Sequence, residues 1–584
     1  MTETTPGRET IQIVEIQQPL CENVFGVSPC TASGTNDEKC YNTRATCLDT
    51  ANFSLGTPLS LYFGKGRPGE QGLVPYLIPS LVSVSTSPTR INLAGANPDA
   101  QGLGNRALCS IVFQDHQHTD RLVDPYLSGR SWNPLDRDRG SFWTRWLVRN
   151  KYRQNIVIKI YEGYAGQALA AMSVRQYFLQ EVSGPDSSGR ITIRGKDILA
   201  RLEERKAQAP IASPGELYAD IDASVTSFEV ANAVEADYST TGTLRIGDEI
   251  VTYTGRATST NGIEFTGVTR GTDNTTADSH SAGDAAQQCL RYIDETPDVV
   301  LEDLLTTFGG VDSSFLDTTN WADEVGSYLG FYRMNALITE PVSVYKLVSE
   351  IQQQALLYIW WDERDALVKL RAIKGIDAPP DVITDAANII SGSVSFTEKP
   401  RERASQVWVY YAQDDFTASA DDAQAYSRQF VIADLESETD ELYGEASIRK
   451  VYGRWINSDI LAANTAGKII VRYVDVPTEI KFRMDAKDRE FGVGDTIEIS
   501  HYLDVDQFGA RRQRRWTIVS FEEIVPGEVV EYVAEDTTLY GKIYFIMANG
   551  TADYPGYDSA PFKNCYIGDA NGVLSDGATA GIIT

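Results

Sequence analysis

The sequence predicts a predominantly β protein of the α+β class that is divided into several domains. Its length of 584 residues is greater than one hydrophobic core usually supports. Segments with strand-like alternation recur along most of the chain and are separated by clusters of Gly, Pro and Asp. Helical spacing of apolar residues is confined to a few short stretches, and 29 Tyr and 9 Trp suit large sheet surfaces.

Changes in this pattern divide the chain into six segments. The predicted segments are an N-terminal strand with a cysteine cluster (1–59), a β-rich domain (60–212), a small β insert (213–293), an α+β domain (294–375), a second β-rich domain (376–543) and an extended C-terminal arm (544–584). The insert is predicted because short hairpins with Gly and Asn turns follow one another there. The arm is predicted because Gly, Ala, Asp and Tyr dominate its composition.

Within these segments, individual elements follow from periodicity. Strands are predicted at residues 11–20, 106–115, 155–164, 190–199, 406–412, 469–476, 478–485, 495–503, 515–524 and 528–536. Helices are predicted at residues 196–210, 297–310 and 342–354, where apolar residues recur at steps of three and four. Residues 356–373 are expected to form a hairpin that turns near Glu363, Arg364 and Asp365. The acidic stretch 414–440 is expected to be a loop or a short helix.

The charge balance limits the partners that the chain can have. There are 52 basic and 81 acidic residues, which gives a net charge of −29. So acidic a chain is a poor candidate for wrapping DNA or lying on an anionic membrane. The first 20 residues have neither a basic region nor a long apolar core, and no window offers the roughly 18 apolar residues of a membrane helix. We therefore expect synthesis in a reducing cytosol, with no direct nucleic-acid binding and no membrane span.

Four cysteines near the N-terminus are the strongest candidate site. Cys21, Cys30, Cys40 and Cys47 form a C-x8-C-x9-C-x6-C pattern, whereas only Cys109, Cys289 and Cys565 occur in the rest of the chain. Reduced thiols at this density favour a metal or an iron–sulfur cluster over disulfides or unligated thiols. The intervening residues are polar and rich in turns, so ligation would order them. Composition does not separate zinc from a four-iron cluster, because both accept four thiolates.

The cysteine segment also resembles a known family. Its x8 and x6 halves are similar to the iron–sulfur segment of lambda-like siphophage tail-tip proteins and to hub proteins of gene transfer agents. That resemblance implies a [4Fe–4S] cluster bound by Cys21, Cys30, Cys40 and Cys47, with zinc as the alternative metal. Further stretches resemble proteins of the same type: residues 125–150 and 189–210, the insert at 246–283, the hub-like segment 338–373 and residues 549–577.

The resemblance implies a phage tail-hub architecture and a structural function. The expected protein is a baseplate hub or tail-tip protein of a siphophage-like virion and not an enzyme. It would form a homotrimeric ring that closes the tail tube and links the distal tail protein to tail fibres or receptor-binding proteins, with the tape measure protein as a further candidate partner. Its expected location is the virion tail tip, after assembly in the cytoplasm of the bacterial host. The alternatives are a receptor- or glycan-binding tail protein and a virion-associated cell-wall hydrolase.

A histidine pair is a weaker candidate site. His116 and His118 lie two residues apart, with Asp115 and Asp120 beside them, so on a strand both imidazoles could reach one metal ion. The competing interpretation is a polar loop that follows a strand. The sequence contains neither a G-x-S-x-G elbow nor an H-E-x-x-H helix, and we predict no catalytic residue.

A basic run is the second weaker candidate. Arg511, Arg512, Arg514 and Arg515 precede Trp516. They are interpreted either as an exposed turn leading into a strand or as a contact for the acidic surface of a neighbouring subunit. The acidity of the whole chain favours a protein partner over DNA for such a run.

Overall fold

The structure is a computed structural model that describes residues 8–96, 102–373 and 382–536. It confirms the predicted fold class, because strands predominate and are arranged in several separate sheets. None of the helices in the described ranges combines the length and the apolar character needed to cross a bilayer. The predicted C-terminal arm, residues 544–584, and Cys565 lie outside the described residues.

An eight-stranded sheet forms the first part of the chain. Its strands are β1 (Thr10–Gln18), β2 (Leu59–Phe63), β3 (Leu77–Ile78), β4 (Leu81–Ser87), β5 (Leu108–Gln114), β6 (Val157–Tyr164), β7 (Ser173–Ser183) and β8 (Arg190–Lys196). Their order is β3-β2-β1-β6-β7-β8-β5-β4, and all neighbours are antiparallel except β2 and β3. Helix α1 (Phe142–Arg149) packs Trp143 and Trp146 into the core of this sheet. The sheet and α1 together support the cysteine segment, which leaves the end of β1.

The insert contains two small sheets around one core. It follows the two-residue strand β9 (Gln208–Ala209) and consists of β10 (Glu216–Leu217), β11 (Ser227–Ala231), β12 (Gly242–Ile246), β13 (Glu249–Tyr253), β14 (Gly255–Ser259), β15 (Gly262–Thr266) and β16 (Ala286–Gln288). One sheet has the order β10-β11-β15-β14 and the other β13-β12-β16. Their apolar faces meet around Val230, Leu244 and Phe265, so the insert has a core of its own.

The next part combines helices with two-stranded sheets. Its elements are β17 (Leu290–Glu295), α2 (Pro297–Asp303) with a π-helical turn at Leu304–Phe308, α3 (Thr318–Tyr328), β18 (Met334–Ile338), β19 (Val342–Ser343), α4 (Val344–Ala355), β20 (Leu357–Asp362) and β21 (Leu367–Ala372). Strand β17 pairs with β18, β19 with β9, and β20 with β21. Helix α4 buries Leu347, Val348 and Ile351 on one face, as the predicted spacing requires. The predicted hairpin is confirmed.

The last part contains two sheets and one long helix. Its elements are β22 (Val382–Thr384), β23 (Ser395–Glu398), β24 (Gln406–Gln413), β25 (Tyr426–Ala433), β26 (Ile448–Gly453), α5 (Asp459–Tyr473), β27 (Thr478–Asp485), β28 (Thr496–Val505), β29 (Arg511–Val525) and β30 (Val529–Asp536). The larger sheet has the order β22-β28-β29-β30-β27-β23. The smaller sheet, β25-β24-β26, packs against α5.

Three predicted elements are wrong. Residues 469–476 were expected to form a strand because Ile and Val are β-branched, but most of them belong to α5. A capping hydrogen bond from the Leu461 amide to the Ser458 side chain starts that helix, and one apolar face of it enters the core. The predicted helix 196–210 is reduced to a 3-10 helix, Ile198–Glu203, which Asp197 caps. The acidic stretch 414–440 contains strand β25.

A buried polar contact joins the first sheet to the α+β part. The carboxylate of Glu363, at the turn between β20 and β21, accepts a 2.7 Å hydrogen bond from the hydroxyl of Tyr177, which is fully buried in β7. The backbone carbonyl of Glu363 also accepts a 2.9 Å hydrogen bond from the amide of Gln176 in β7. Burial raises the pKa of Glu363 to about 7, although the charge of Arg175 and the Tyr177 hydrogen bond oppose that shift. The folded protein therefore favours the neutral form of this carboxyl.

This contact predicts a pH dependence of stability. Because the folded-state pKa of Glu363 lies above the ordinary value of 4.5, the folded state holds the proton more tightly. The stabilisation is present below the ordinary pKa and is lost as pH rises through about 7. We expect Glu363→Gln to flatten the fall in thermal unfolding temperature between about pH 5 and about pH 8. The exposed Glu302→Gln variant is the control and should keep the wild-type slope. An unchanged slope in Glu363→Gln would contradict the assignment.

Candidate metal centre

The cysteine segment is a long loop whose two ends are joined by backbone hydrogen bonds. Strand β1 leads into it and β2 follows it. Cys21 forms an isolated antiparallel bridge with Leu55, and the amide of Glu22 donates to the carbonyl of Ser54 at 3.0 Å. The amide of Gly56 donates to the carbonyl of Leu20 at 2.9 Å. This short ladder, which we call the neck of the loop, fixes where the segment leaves and rejoins the sheet.

All four cysteines line the same small cavity within this loop. Its volume is about 10 Å³, and its walls are formed by Cys21, Asn23, Phe25, Cys30, Cys40, Asn42, Cys47, Asp49 and Asn52. The four cysteines are partly exposed, and none of the described cysteines is in a disulfide. Cysteines that are up to 26 positions apart in sequence are thus brought to one place. The structure juxtaposes the residues that the spacing singled out.

Turns and side-chain hydrogen bonds hold the two halves of the loop together. The amide of Cys21 donates to the carbonyl of Asn42 at 2.7 Å, which ties the first cysteine to the second half. Asn42 has a φ of 54°, a left-handed conformation that Asn adopts more readily than most residues. Thr31, next to Cys30, donates from its amide and its hydroxyl to Asp49 at 2.7 and 2.9 Å. These links order the cavity wall without any regular strand or α-helix.

Arg130 clamps the loop from outside. Its guanidinium donates to the carbonyls of Asn36, Asp37 and Lys39 at 2.9–3.1 Å and to that of Cys40 at 3.4 Å. The same group pairs with the carboxylate of Asp124 at 2.9 Å, and both side chains are fully buried. One guanidinium therefore satisfies four loop carbonyls and one buried carboxylate, which is the kind of multiple donation that its planar fork permits.

Tyr41 joins the loop to helix α1. Its ring lies between two guanidinium groups, with that of Arg130 at 4.5 Å and that of Arg149 at 3.8 Å from the ring centre. Arg149 ends α1 and pairs with Asp120 at 2.7 Å. The hydroxyl of Thr43 also donates to the carbonyl of Arg149 at 2.6 Å. The residues that follow Cys40 are therefore attached to the packed core of the first sheet.

The histidine pair serves the fold. The ring of His118 accepts a hydrogen bond from the Asp120 amide at 3.0 Å and contacts the Tyr76 hydroxyl at 3.1 Å, while the ring of His116 stacks on Phe142. Asp115 accepts hydrogen bonds from the first residues of α1 and so caps that helix. Burial opposes ionisation of Asp120, but hydrogen bonding with His118 and the charges of Arg149 and Arg145 lower its pKa to about 2. These contacts favour the polar-loop interpretation over a metal site.

The basic run is neutralised within the chain, and its interpretation as an exposed turn is wrong. Residues 511–515 lie in strand β29, where alternate side chains face opposite sides. The pairs are Arg512 and Arg514 with Asp504, Arg514 with Asp536, Arg515 with Glu498 and Arg511 with Asp385, at 2.6–2.9 Å. The sequence could not show this, because these carboxylates lie on neighbouring strands or loops.

The donor set of the cavity fits a thiolate-bound metal. The four free cysteines line one cavity, and the carbonyls of Cys40 and of residues just before it accept hydrogen bonds from Arg130. Burial raises the pKa of the Cys40 thiol, and the nearby Cys47, Cys30 and Cys21 add to that shift. Among the described residues, no group of three or more His, Cys, Asp or Glu has the arrangement of a preformed ion site. The assignment of a metal therefore rests on the thiol donors of the four cysteines and on their shared cavity, and not on a coordination geometry.

Comparisons with known proteins give only distant similarities. No family model matches the sequence, and no curated protein sequence matches it. Among solved structures, a tail protein from Neisseria meningitidis MC58 is 9% identical with a TM-score of 0.35, over 75% of this chain and 90% of that chain. The 43 kDa tail protein of prophage MuSo2 from Shewanella oneidensis is 8% identical with a TM-score of 0.34, over 78% of this chain and 98% of that chain.

A third similarity is to a chain in the virion of a native gene transfer agent particle. It is 14% identical with a TM-score of 0.25, over 38% of this chain and 44% of that chain. At such low identities and TM-scores, these similarities do not by themselves establish a family or a role.

Proposed function

We propose that this chain is a structural hub of a siphophage-like tail tip, located in the virion. In this role it forms a trimeric ring that closes the tail tube and connects a distal tail protein to fibres or receptor-binding proteins. The proposed role is structural and not catalytic. The observation that carries the proposal is the convergence of Cys21, Cys30, Cys40 and Cys47 on one cavity, since these are the residues for which the sequence resembles tail-tip proteins.

We also propose that the four cysteines hold a [4Fe–4S] cluster. A bound cluster supplies four covalent links between parts of the loop that are distant in sequence. The neck, the Arg130 clamp and the Tyr41 contact hold the loop against the first sheet from the outside. The thiolates would join Cys21 and Cys30 to Cys40 and Cys47 from the inside. This arrangement suits a rigid attachment surface at the end of a tube, and it requires no electron transfer.

Large aromatic β surfaces are consistent with ring building. A ring of identical subunits needs interfaces between two different surfaces of each chain. Interface cores are enriched in aromatic residues. The described part of this chain has several separate sheets, and the small insert has a core of its own. Such an architecture offers separate faces for a neighbouring subunit and for other tail proteins.

The location of the chain in the particle tests this function. In purified particles that contain the chain, gold-labelled antibody is expected to mark one end of the tail tube, because a hub lies only there. The measurement is the distribution of label in negative-stain electron micrographs, with antibody to a capsid protein as the control. Label spread along the tail, label confined to the capsid, or absence of the chain from particles would contradict the proposed role.

A further inference from the structure

Beside the cysteine loop lies a groove with a basic, partly apolar rim. The groove has a volume of about 580 Å³ and is lined by Pro19, Thr43, Arg44, Ala45, Phe53, Ser54, Leu55, Arg149, Asn150 and Tyr152. Leu55 is 66% exposed and Tyr152 68% exposed, and Val148, four residues before Tyr152, is 76% exposed. Exposed apolar side chains that cluster at a groove are typical of an interaction site. We call this surface the loop groove.

Arg44 in the wall of the loop groove, and Lys151 and Arg153 beside it in sequence, have no carboxylate partner in the part of the chain that the structure describes. Arg44 lies in its wall with its guanidinium over the ring of Phe53, and Lys151 and Arg153 flank Tyr152 in sequence. Within the described ranges, none of these three cations forms an ion pair with a carboxylate, whereas the arginines of β29 all do. Three unpaired cations together are notable in a chain with a net charge of −29. They mark a surface that an acidic partner would complement.

A second surface of the same chain has the opposite character. The segment between β25 and β26, residues 434–445, contains six carboxylates and no cation; we call it the acidic loop. Leu435, Leu442 and Tyr443 within it are 67%, 58% and 40% exposed. Glu436, Asp440 and Glu441 are exposed, and no ion pair to them occurs in the described part of the chain. The acidic loop therefore presents apolar side chains among unpaired negative charges.

The acidic loop is held in shape by its own chain. Arg403 donates to the carbonyls of Ser437 and Glu445 at 2.9 and 3.1 Å, and its guanidinium lies 4.1 Å from the ring centre of Tyr443. The amides of Leu442 and Gly444 both donate to the carbonyl of Thr439 at 2.9 Å. A segment that is ordered in this way loses little conformational entropy on binding, which favours its use as a docking element.

We propose that the acidic loop of one copy of this chain docks into the loop groove of a second copy. This inference rests on the proposed ring and adds the two surfaces that would build it. A heterologous contact requires complementary patches at different places on one chain, and these two patches match in charge and in apolar content. No hydrogen bond or ion pair joins residues 434–445 to the groove within the described part of one chain. The proposed contact is therefore one between two copies of the chain.

The interface places the cysteine loop at the boundary between subunits. The groove wall includes Thr43, Arg44 and Ala45, which lie between Cys40 and Cys47. Ordering the cysteine segment therefore also orders this wall of the loop groove. The segment from Cys40 to Cys47 would therefore link metal binding to the subunit contact.

Charge exchange tests the interface on the full-length chain. The double substitution Lys151→Glu and Arg153→Glu reverses two cations that flank the groove residue Tyr152 in sequence, and Asp440→Lys with Glu441→Lys reverses two carboxylates of the acidic loop. We expect each pair of substitutions to weaken self-association by about tenfold or more, because like charges then face each other. Combining all four substitutions should restore association toward the wild-type value. The oligomer fraction is measured by mass photometry across a concentration series. Circular dichroism and iron content show whether each variant is folded and keeps its metal.

The outcomes separate this inference from the proposed ring. Association that persists unchanged in both charge-reversed variants would overturn the interface while leaving the ring intact. Weakening by each pair without restoration in the combined variant would show that the two surfaces are not mutual partners, which also overturns it. A wild-type chain that stays monomeric at the highest concentration would overturn the self-assembling ring and the interface together. The matched control is the double substitution Lys65→Glu and Arg67→Glu. Both residues are exposed and neither lines the groove, so association should be unchanged.

Discussion

Cys40→Ser is expected to abolish binding of the proposed cluster and to loosen the loop between β1 and β2. Wild-type protein purified without oxygen should contain about four irons per chain and be brown, whereas the variant should contain little or none. Cys40 is suited to this test because its carbonyl is held by Arg130 while its thiol faces the cavity. Loss of its thiolate therefore removes a ligand without removing the external clamp. Elemental analysis and visible absorption measure the metal, and limited proteolysis measures the order of the loop.

The control for this variant is Cys289→Ser. Cys289 is buried in the described structure and lies outside the cavity. It should keep the wild-type iron content even if its own core is slightly weakened. Iron retained at the wild-type level in Cys40→Ser would show that Cys40 is not a ligand. One zinc per chain in the wild-type protein would preserve the thiolate site and refute the cluster.

Arg130→Ala is expected to have the largest effect on the stability of the cysteine loop. The substitution leaves the carboxylate of Asp124 buried without its cation and removes the donor shared by four loop carbonyls. Removing one partner of a buried pair typically costs about 3–5 kcal/mol. We expect a loss of that size in unfolding free energy, together with faster amide exchange in residues 35–47. Urea denaturation and hydrogen-exchange mass spectrometry measure the two effects.

Two further variants separate the effect of losing the clamp from the effect of leaving a buried carboxylate unpaired. Arg137→Ala, on an exposed turn of the same segment, should behave like the wild type. Asp124→Asn combined with Arg130→Ala removes the unpaired charge, so it should recover part of the unfolding free energy while the loop still exchanges rapidly. If Arg130→Ala matched the wild type in both measurements, the clamp would be structurally irrelevant.

The sequence predicted the components of the site but not its scaffold. Four close cysteines in a cysteine-poor chain are a local pattern, and the structure brings them to one cavity. Arg130 is about 90 positions away from the carbonyls that it holds, and nothing in its immediate sequence marks it. Tyr41 likewise attaches the loop to the core only because its ring contacts the guanidinium of Arg149, at the end of α1. Such partners depend on tertiary packing, which periodicity does not encode.

The fold shows the same division between local and long-range signals. The hairpin of β20 and β21 and the helix α4 were predictable, because their apolar spacing and turn residues lie within one short window. The end of α5 was assigned to a strand because Ile469, Ile470 and Val471 favour β structure. Packing of one helix face against β24 outweighed that preference. The basic run of β29 was misread for a related reason, since its neutralising carboxylates come from other strands and loops.

The neck of the cysteine loop bears on when the proposed cluster would be inserted. Its hydrogen bonds between Leu20 and Gly56 and between Cys21 and Leu55 close the excursion independently of the thiols. The pairing of β1 with β2 brings the two ends of the loop together and so offsets part of the entropy lost in closing it. The proposed cluster would then have only to order the interior of a segment whose two ends are already joined. On the cluster proposal, insertion would follow folding of the first sheet, and a subunit without the cluster would still hold both ends of the loop in place.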